Sequence, residues 1–392
     1  MWAGADQTIA KYLARGAEPQ ARTALAISGR YPSALVVPVR DESATFMCGL
    51  SAALASRPGA LVIVVVNANA DSDAAVRRSN ERLLTALRGY DGAAATSVGA
   101  GTELVPFESA TLLLVDCSSS GRELPTKQGV GLARKIGCDL ALGLWRDGVV
   151  NSPWLFSSDA DVTLPPNYFD ADALAHATAG ALLFDFEHQP SGDAELDRAT
   201  LEYELYLRYY TLGLAWAGSP YAFHTLGSCL AVRAEAYAAV RGFPKREAGE
   251  DFHLLSKVAK VAVVQTLHRQ KIGIASRRSL RAPFGTGARV ATLLAGEALE
   301  FHDPRLFDLL KAVLDAQRRW VQAPTAGFEL SVKDEGVRDL WGECLAVLDE
   351  LGLDQALSHA AQIGGDSADR LLHLHTWFDA LKTLRLLRAV QQ

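Results

Sequence analysis

Trp154-Leu155-Phe156-Ser157-Ser158-Asp159-Ala160-Asp161-Val162-Thr163-Leu164-Pro165-Pro166 is the stretch from which this chain is best read. An apolar run of strand character ends in two aspartates one residue apart, and strand alternation turns residues i and i+2 to the same side. Two carboxylates therefore converge at a strand end. Held that close they repel unless positive charge lies between them, and hard oxygen donors of this kind suit Mn2+ or Mg2+ shared with substrate phosphates. Asp and Pro are also turn residues, so a plain turn is the competing reading.

Upstream, Ala34-Leu35-Val36-Val37-Pro38-Val39 reads as a strand, followed by Arg40-Asp41-Glu42-Ser43 and a helix to about residue 56. Leu61-Val62-Ile63-Val64-Val65-Val66 is apolar on both faces, as a strand inside a parallel sheet must be. It ends in Asn67-Ala68-Asn69-Ala70-Asp71, and a helix follows over 74–88. Residues 91–109 read as loop, 111–116 as strand and 129–144 as helix. Beyond the aspartate pair the pattern predicts a helix over 168–178, a strand over 181–186, a long helix over 195–217, a strand over 228–233 and a helix over 234–240. Strand and helix in alternation predict an α/β fold, a mostly parallel sheet sandwiched by helices. Ligands in such sheets bind beyond the carboxyl ends of the strands, where Arg40, Asn67, Asp116, Asp159 and Asp161 all fall.

From about residue 288 the chain reads as helical, with Leu-rich segments over 304–320, 335–351 and 366–389. The expected division is an N-terminal helix and linker over 1–30, a sheet domain over 31–287 and a helical C-terminal region over 288–392. With 49% hydrophobic and 21% charged residues, the 392-residue chain has ample core, and its net charge of −6 gives no reason to expect nucleic acid. The five cysteines lack any C-x-x-C spacing and read as reduced thiols, which favours a cytoplasmic location. No apolar run approaches the roughly eighteen residues of a membrane span, and residues 1–26 make a poor signal peptide.

Three further constellations carry chemistry. In Gly249-Glu250-Asp251-Phe252-His253-Leu254-Leu255, helical spacing puts Asp251 on the side of Leu254, Leu255 and Val258, and Glu250 with His253 and Lys257. Asp251 then faces the interior or a cleft, although acids also favour first turns through the helix dipole alone. From His268 to Arg289 the chain holds Arg269, Lys271, Arg277, Arg278, Arg281 and Arg289 and no acid, a segment suited to a diphosphate or to plain solvation. Gly129-Val130-Gly131 opens a helix whose glycines permit close backbone approach. His224, His253, His268 and His302 are each conceivable ligands; His268, after a strand and beside the basic segment, is the preferred third metal ligand.

The order of these motifs resembles a family 2 type glycosyltransferase with the GT-A fold. Val36-Val37-Pro38-Val39-Arg40-Asp41-Glu42 is similar to that family's opening strand and nucleotide-binding turn. Gly131-Leu132-Ala133-Arg134-Lys135-Ile136-Gly137 is similar to its Gly-x-Ala-Arg-Asn-x-Gly helix, with Lys135 where Asn is usual. Asp159-Ala160-Asp161 resembles its D-x-D motif, and 227–233, Gly242-Phe243-Pro244 and Gly249-Glu250-Asp251 resemble its acceptor-side strand, turn and acidic helix. Two departures stand out: Asn67-Ala68-Asn69-Ala70 replaces the usual Asp-Asp-Gly-Ser, and the Q-x-x-R-W motif of processive synthases is absent.

The resemblance implies a glycosyltransferase that moves one sugar from a nucleoside-diphosphate sugar to a hydroxyl of a small-molecule, glycan or lipid-linked acceptor. It assigns Mn2+ or Mg2+ to Asp159, Asp161 and His268, and donor binding to Pro38, Arg40, Glu42, Asn67, Asp71, Arg134, Asp159, Arg277 and Arg281. Catalysis falls to Asp251, as base of an inverting reaction, with Glu250. A retaining reaction, a nucleotidyltransferase using the same aspartates, and a non-catalytic module presenting the Tyr-rich 202–210 helix are the alternatives.

Overall fold

A computed structural model of the chain describes residues 4–92, 94–278, 285–332, 334–363 and 366–391. They divide into two compact units, one of residues 1–201 with 225–297, the other of 202–224 with 298–392.

The first unit opens with helix α1 (Ala5–Arg15), strand β1 (Ala34–Val39), α2 (Phe46–Ser56), β2 (Leu61–Asn67) and α3 (Ala74–Arg88). A hairpin of β3 (Thr96–Gly99) and β4 (Thr102–Phe107) leads into β5 (Ala110–Cys117), α4 (Gly129–Arg146), β6 (Trp154–Ser157) and the short β7 (Val162–Thr163). Then come α5 (Ala171–Leu174), β8 (Ala179–Gln189), α6 (Ala194–Trp216), β9 (Leu230–Arg233), α7 (Ala234–Ala239), α8 (Glu250–Val258), β10 (Val263–Ala275) and α9 (Thr286–Leu294). All ten strands form one sheet in the order β3-β4-β5-β2-β1-β6-β9-β8-β10-β7.

The centre, β5-β2-β1-β6, is parallel, and every residue of β1 and β2 is buried, as expected of strands covered on both faces. The flanks are mixed: β9 runs antiparallel between β6 and β8, and β7 antiparallel to β10. Helix α4 is buried over almost its whole length, since it packs on β1 and β2 while the N-terminal segment covers its other side. Asp139, on α4, accepts hydrogen bonds from the hydroxyls of Tyr12 (2.7 Å) and Tyr237 (2.9 Å), the Glu18 amide (2.8 Å) and Lys135 (3.0 Å). Gly137 meets β1 so closely that a Cβ would lie 2.3 Å from a Val36 methyl.

Two expectations need correction. Residues 91–109 are not simply loop: β3 and β4 add a hairpin edge, hidden because β3 has one apolar residue and Pro106 interrupts β4. The helix expected over 168–178 stops at Leu174, because the Gln265 amide takes over there, donating to Leu174 O at 3.0 Å and accepting from His176 N at 2.8 Å.

The second unit is helical. It contains the later part of α6, then α10 (Pro304–Gln322), α11 (Glu335–Arg338), α12 (Trp341–Glu350), α13 (Leu353–Gln362), α14 (Ser367–Trp377) and α15 (Ala380–Gln391). The 366–389 segment breaks between α14 and α15 because the Asp379 carboxylate accepts from the amides of Leu381 and Lys382 and starts a new helix. Tyr209 and Tyr210 of the Tyr-rich helix pack against this unit's core, around Phe307 and His302.

Candidate active site

Site residues come from the carboxyl edge of the parallel centre, where β6 ends at Ser157. The amide of Ser158 still donates to Val36 O at 3.0 Å, and the chain then leaves the sheet with Asp159 and Asp161. Neither aspartate is a strand residue, so alternation along a strand does not orient them. Each is instead held by a guanidinium.

Arg134, only 2% exposed, is the hub. Its Nη2 donates to Asp159 at 2.7 Å, its Nε to Glu250 at 3.0 Å, and its Nη1 to Ser157 Oγ at 2.8 Å and to Gly227 O at 2.9 Å. Burial opposes its charge, but the Asp159 and Glu250 carboxylates more than reverse that and hold it firmly protonated. Gly227 is required there, since a Cβ would lie 2.5 Å from Arg134 Nη2. Arg134, expected to bind the donor, here makes its hydrogen bonds within the protein, to Asp159, Glu250, Ser157 and Gly227.

Glu250 and Asp251 open α8 behind Gly249, whose φ of 71° sets the turn. Helical spacing predicts Glu250 on the polar side, yet it is 3% exposed, because Arg134 reaches the first turn of α8 from within. Burial raises the Glu250 pKa, against the opposing charge of Arg134. Asp251 accepts from the Phe252 amide at 2.7 Å. Burial first, then the neighbouring Glu250 charge, push its pKa up to about 7. A helix N-terminus favours the ionised carboxylate and so weakens a base, but here desolvation outweighs it.

Asp161 faces Arg277, whose Nη2 lies 2.7 Å away while Nη1 bonds Glu42 at 2.5 Å. The basic segment reaches this point because Ala275, ending β10, donates its amide to Asp161 O at 2.8 Å, and β7 pairs with β10 beside it. Burial raises the Asp161 pKa, with the Asp159 charge adding to it, Arg277 opposing and Glu42 reinforcing. Asp161 and Glu42 therefore share Arg277, and the Asp159 charge, held by Arg134, adds to theirs.

Among the described residues no group of three His, Cys, Asp or Glu side chains is arranged as a metal centre. The oxygen donors of Asp159, Asp161 and Glu42 nevertheless fit Mn2+ or Mg2+ in kind, and the charge they concentrate now rests on guanidinium groups. His268 is not brought to them. It lies exposed on β10, seven residues before Ala275, where the strand slips its register against β8.

Other expected donor residues scatter. Pro38 is buried inside β1, opposite Val65, because the strand continues past it. Asn67 is buried too, its amide donating to Val39 O at 3.0 Å and Val65 O at 3.2 Å. Arg40 Nη2 approaches Ser72 Oγ at 3.4 Å, and Asp71 is exposed in the turn after β2. Arg281 lies outside the described residues. Gly129 and Gly131 serve close packing on the loop before α8: a Cβ on Gly131 would lie 2.5 Å from Pro244 O, and its amide donates to Arg246 O at 3.0 Å.

Two residues escape a reading of motifs. Asp185, inside β8, joins Asp159 and Asp161 in raising the pKa of buried Cys229, which burial chiefly sets. Asn80 interrupts the apolar stripe of α3, and only its place among Leu83, Leu84 and Leu87 in sequence could have flagged it.

No family model and no curated protein sequence matches the chain. Among solved structures it is similar to residues 1–349 of S. aureus TarS in complex with UDP-GlcNAc, at 15% identity over 88% of this chain and 90% of that one, with a TM-score of 0.40. It is also similar to glucosyl-3-phosphoglycerate synthase from Mycobacterium tuberculosis. The form with Mn2+, UDP and glucosyl-3-phosphoglycerate is 18% identical over 72% of this chain and 85% of that one, with a TM-score of 0.37. The form with Mg2+ and UDP is 17% identical over 72% and 84%, with a TM-score of 0.38.

Proposed function

We propose that the chain is a glycosyltransferase of GT-A type, moving one sugar from a nucleoside-diphosphate sugar to an acceptor hydroxyl with inversion. The observation that carries this reading is Asp251: a buried carboxyl with its pKa raised to about 7, next in the chain to Glu250, which Arg134 joins to Asp159 at the edge of a parallel sheet. A general base works best when its pKa lies near the working pH.

In this reading the acceptor hydroxyl gives its proton to an Asp251 oxygen as its own oxygen attacks the anomeric carbon. The bond from that carbon to the diphosphate breaks, and its electron pair leaves with the nucleoside diphosphate. Mn2+ or Mg2+ held by Asp159 and Asp161, with Glu42 beside them, would take up charge on that leaving group. Arg277 is placed to contribute a second positive charge once it turns from Asp161 to the diphosphate. Arg134 holds Asp159 in place, and Glu250 fixes the Arg134 fork.

No helix among the described residues is long and apolar enough to cross a membrane. Cytoplasmic residence is part of the proposal, motivated by five free cysteines. Incubating the protein with UDP-, GDP- and TDP-sugars and Mn2+ tests the reading by release of the nucleoside diphosphate. Activity that vanishes in Asp251→Asn and in Asp161→Ala is expected; undiminished turnover in either variant rules the assignment of that residue out.

A further inference from the structure

Asn80 is wholly buried, on the side of α3 that otherwise presents Leu83, Leu84 and Leu87 to the sheet. A leucine there would continue the stripe, so a buried amide is justified only by what it bonds. Its Oδ1 accepts the Asp41 amide at 2.8 Å, and its Nδ2 donates to Asn67 O at 2.8 Å and Ser118 Oγ at 2.9 Å. These partners lie at or just beyond the carboxyl ends of β1, β2 and β5, three neighbouring strands. One side chain thus ties three separate strand-end loops.

The tie at Asp41 matters most. Asp41 has a φ of 55°, a left-handed conformation that a non-glycine residue keeps only when its surroundings hold it there. That turn sets Arg40 on one side and Glu42 on the other, and Glu42 is the residue bonded by Arg277. Asn67, the second partner, passes the constraint back to Val39 O through its own amide.

We propose that Asn80 is a positioning residue for the nucleotide side of the site, holding the β1, β2 and β5 loops in one arrangement before a donor binds. The proposal rests on the donor reading above only for its kinetic consequence. Its structural consequence is independent of any ligand.

The experiment uses the full chain. Backbone amide hydrogen exchange is followed in wild type, Asn80→Ala and Ser118→Ala, and UDP and GDP are titrated calorimetrically. In Asn80→Ala, exchange should quicken at Asp41 and across the loops at 68–72 and 118–122 while β1 and β2 stay protected. Donor KM should rise about tenfold with kcat held within about threefold. Ser118→Ala, which removes one arm without touching the buried amide, should show the same pattern in the β5 loop alone, and decides the matter if Asn80→Ala does not fold. Unchanged exchange in all three loops, or a fall in kcat at constant KM, overturns the proposal. If wild type turns over no sugar nucleotide and binds neither UDP nor GDP, the donor reading fails, and the exchange pattern alone still decides whether Asn80 holds the loops.

Discussion

Arg134 lies 2.7 Å from Asp159 and, by its other edge, 3.0 Å from Glu250. The two acids are 91 residues apart in the chain, one after β6 and one opening α8, and a single buried guanidinium joins them. Any movement of α4 that carries Arg134 would reposition both halves of the site together.

Arg134→Met should therefore harm more than the donor half. It leaves Glu250 buried and unpaired, and breaking a buried pair in this way costs about 3–5 kcal/mol. Arg134→Lys keeps the charge but not the fork, so it should restore much of the stability and little of the activity. Thermal unfolding and turnover, measured on both variants, separate the two effects; full activity in Arg134→Lys would show that fork geometry is immaterial.

The pH dependence follows from Asp251. Its pKa rises from the ordinary 3.8 to about 7 on folding, so the folded chain binds more protons than the unfolded one between those values. Its contribution to stability is therefore greatest below about 3.8 and is lost as pH rises toward about 7. Activity runs the other way: kcat/KM should climb with pH along a limb with apparent pKa near 7, shared with the coupled Glu250. A flat profile between pH 5 and 8 would exclude Asp251 as the base.

Arg277 and a divalent cation compete for the charge of Asp161 and Glu42. Arg277→Gln should bind Mn2+ more tightly without donor, by about fivefold or more, yet turn over more slowly because the leaving group loses a countercharge. His268→Ala, exposed on β10, should leave Mn2+ binding unchanged. Calorimetry with Mn2+ alone reads both variants, and weaker binding in Arg277→Gln would count against the competition.

Gly131→Ala tests the contact between α4 and the loop before α8. Its Cβ would lie 2.5 Å from Pro244 O and 2.6 Å from Arg246 O, backbone atoms that cannot swing aside. A loss of about 1–3 kcal/mol in unfolding free energy is expected. Because that loop leads directly to Glu250 and Asp251, activity should fall further than stability explains.

The sheet domain was legible because apolar runs such as 61–66 leave a chain little choice but a covered parallel strand, and because glycines and prolines punctuate them. The hairpin at 96–107 was not, since its pairing is bought by neighbours on the sheet edge rather than by its own pattern. Asp159, Asp161, Glu250 and Asp251 could be named from local spacing alone. Their partners could not, because nothing local links Arg134 to Gly227, Arg277 to Glu42, or Asn80 to Ser118.

By itself, then, the sequence determined the fold class and the acids on which the proposed chemistry rests, for periodicity and motif order are properties of neighbouring residues. Tertiary structure alone decided which cation holds which acid, that Pro38 and Asn67 are spent on the sheet, and that Arg277 is the residue meeting Asp161. These outcomes depend on burial and on contacts between distant segments, and desolvation raises the Asp251 pKa only after the chain has closed around it.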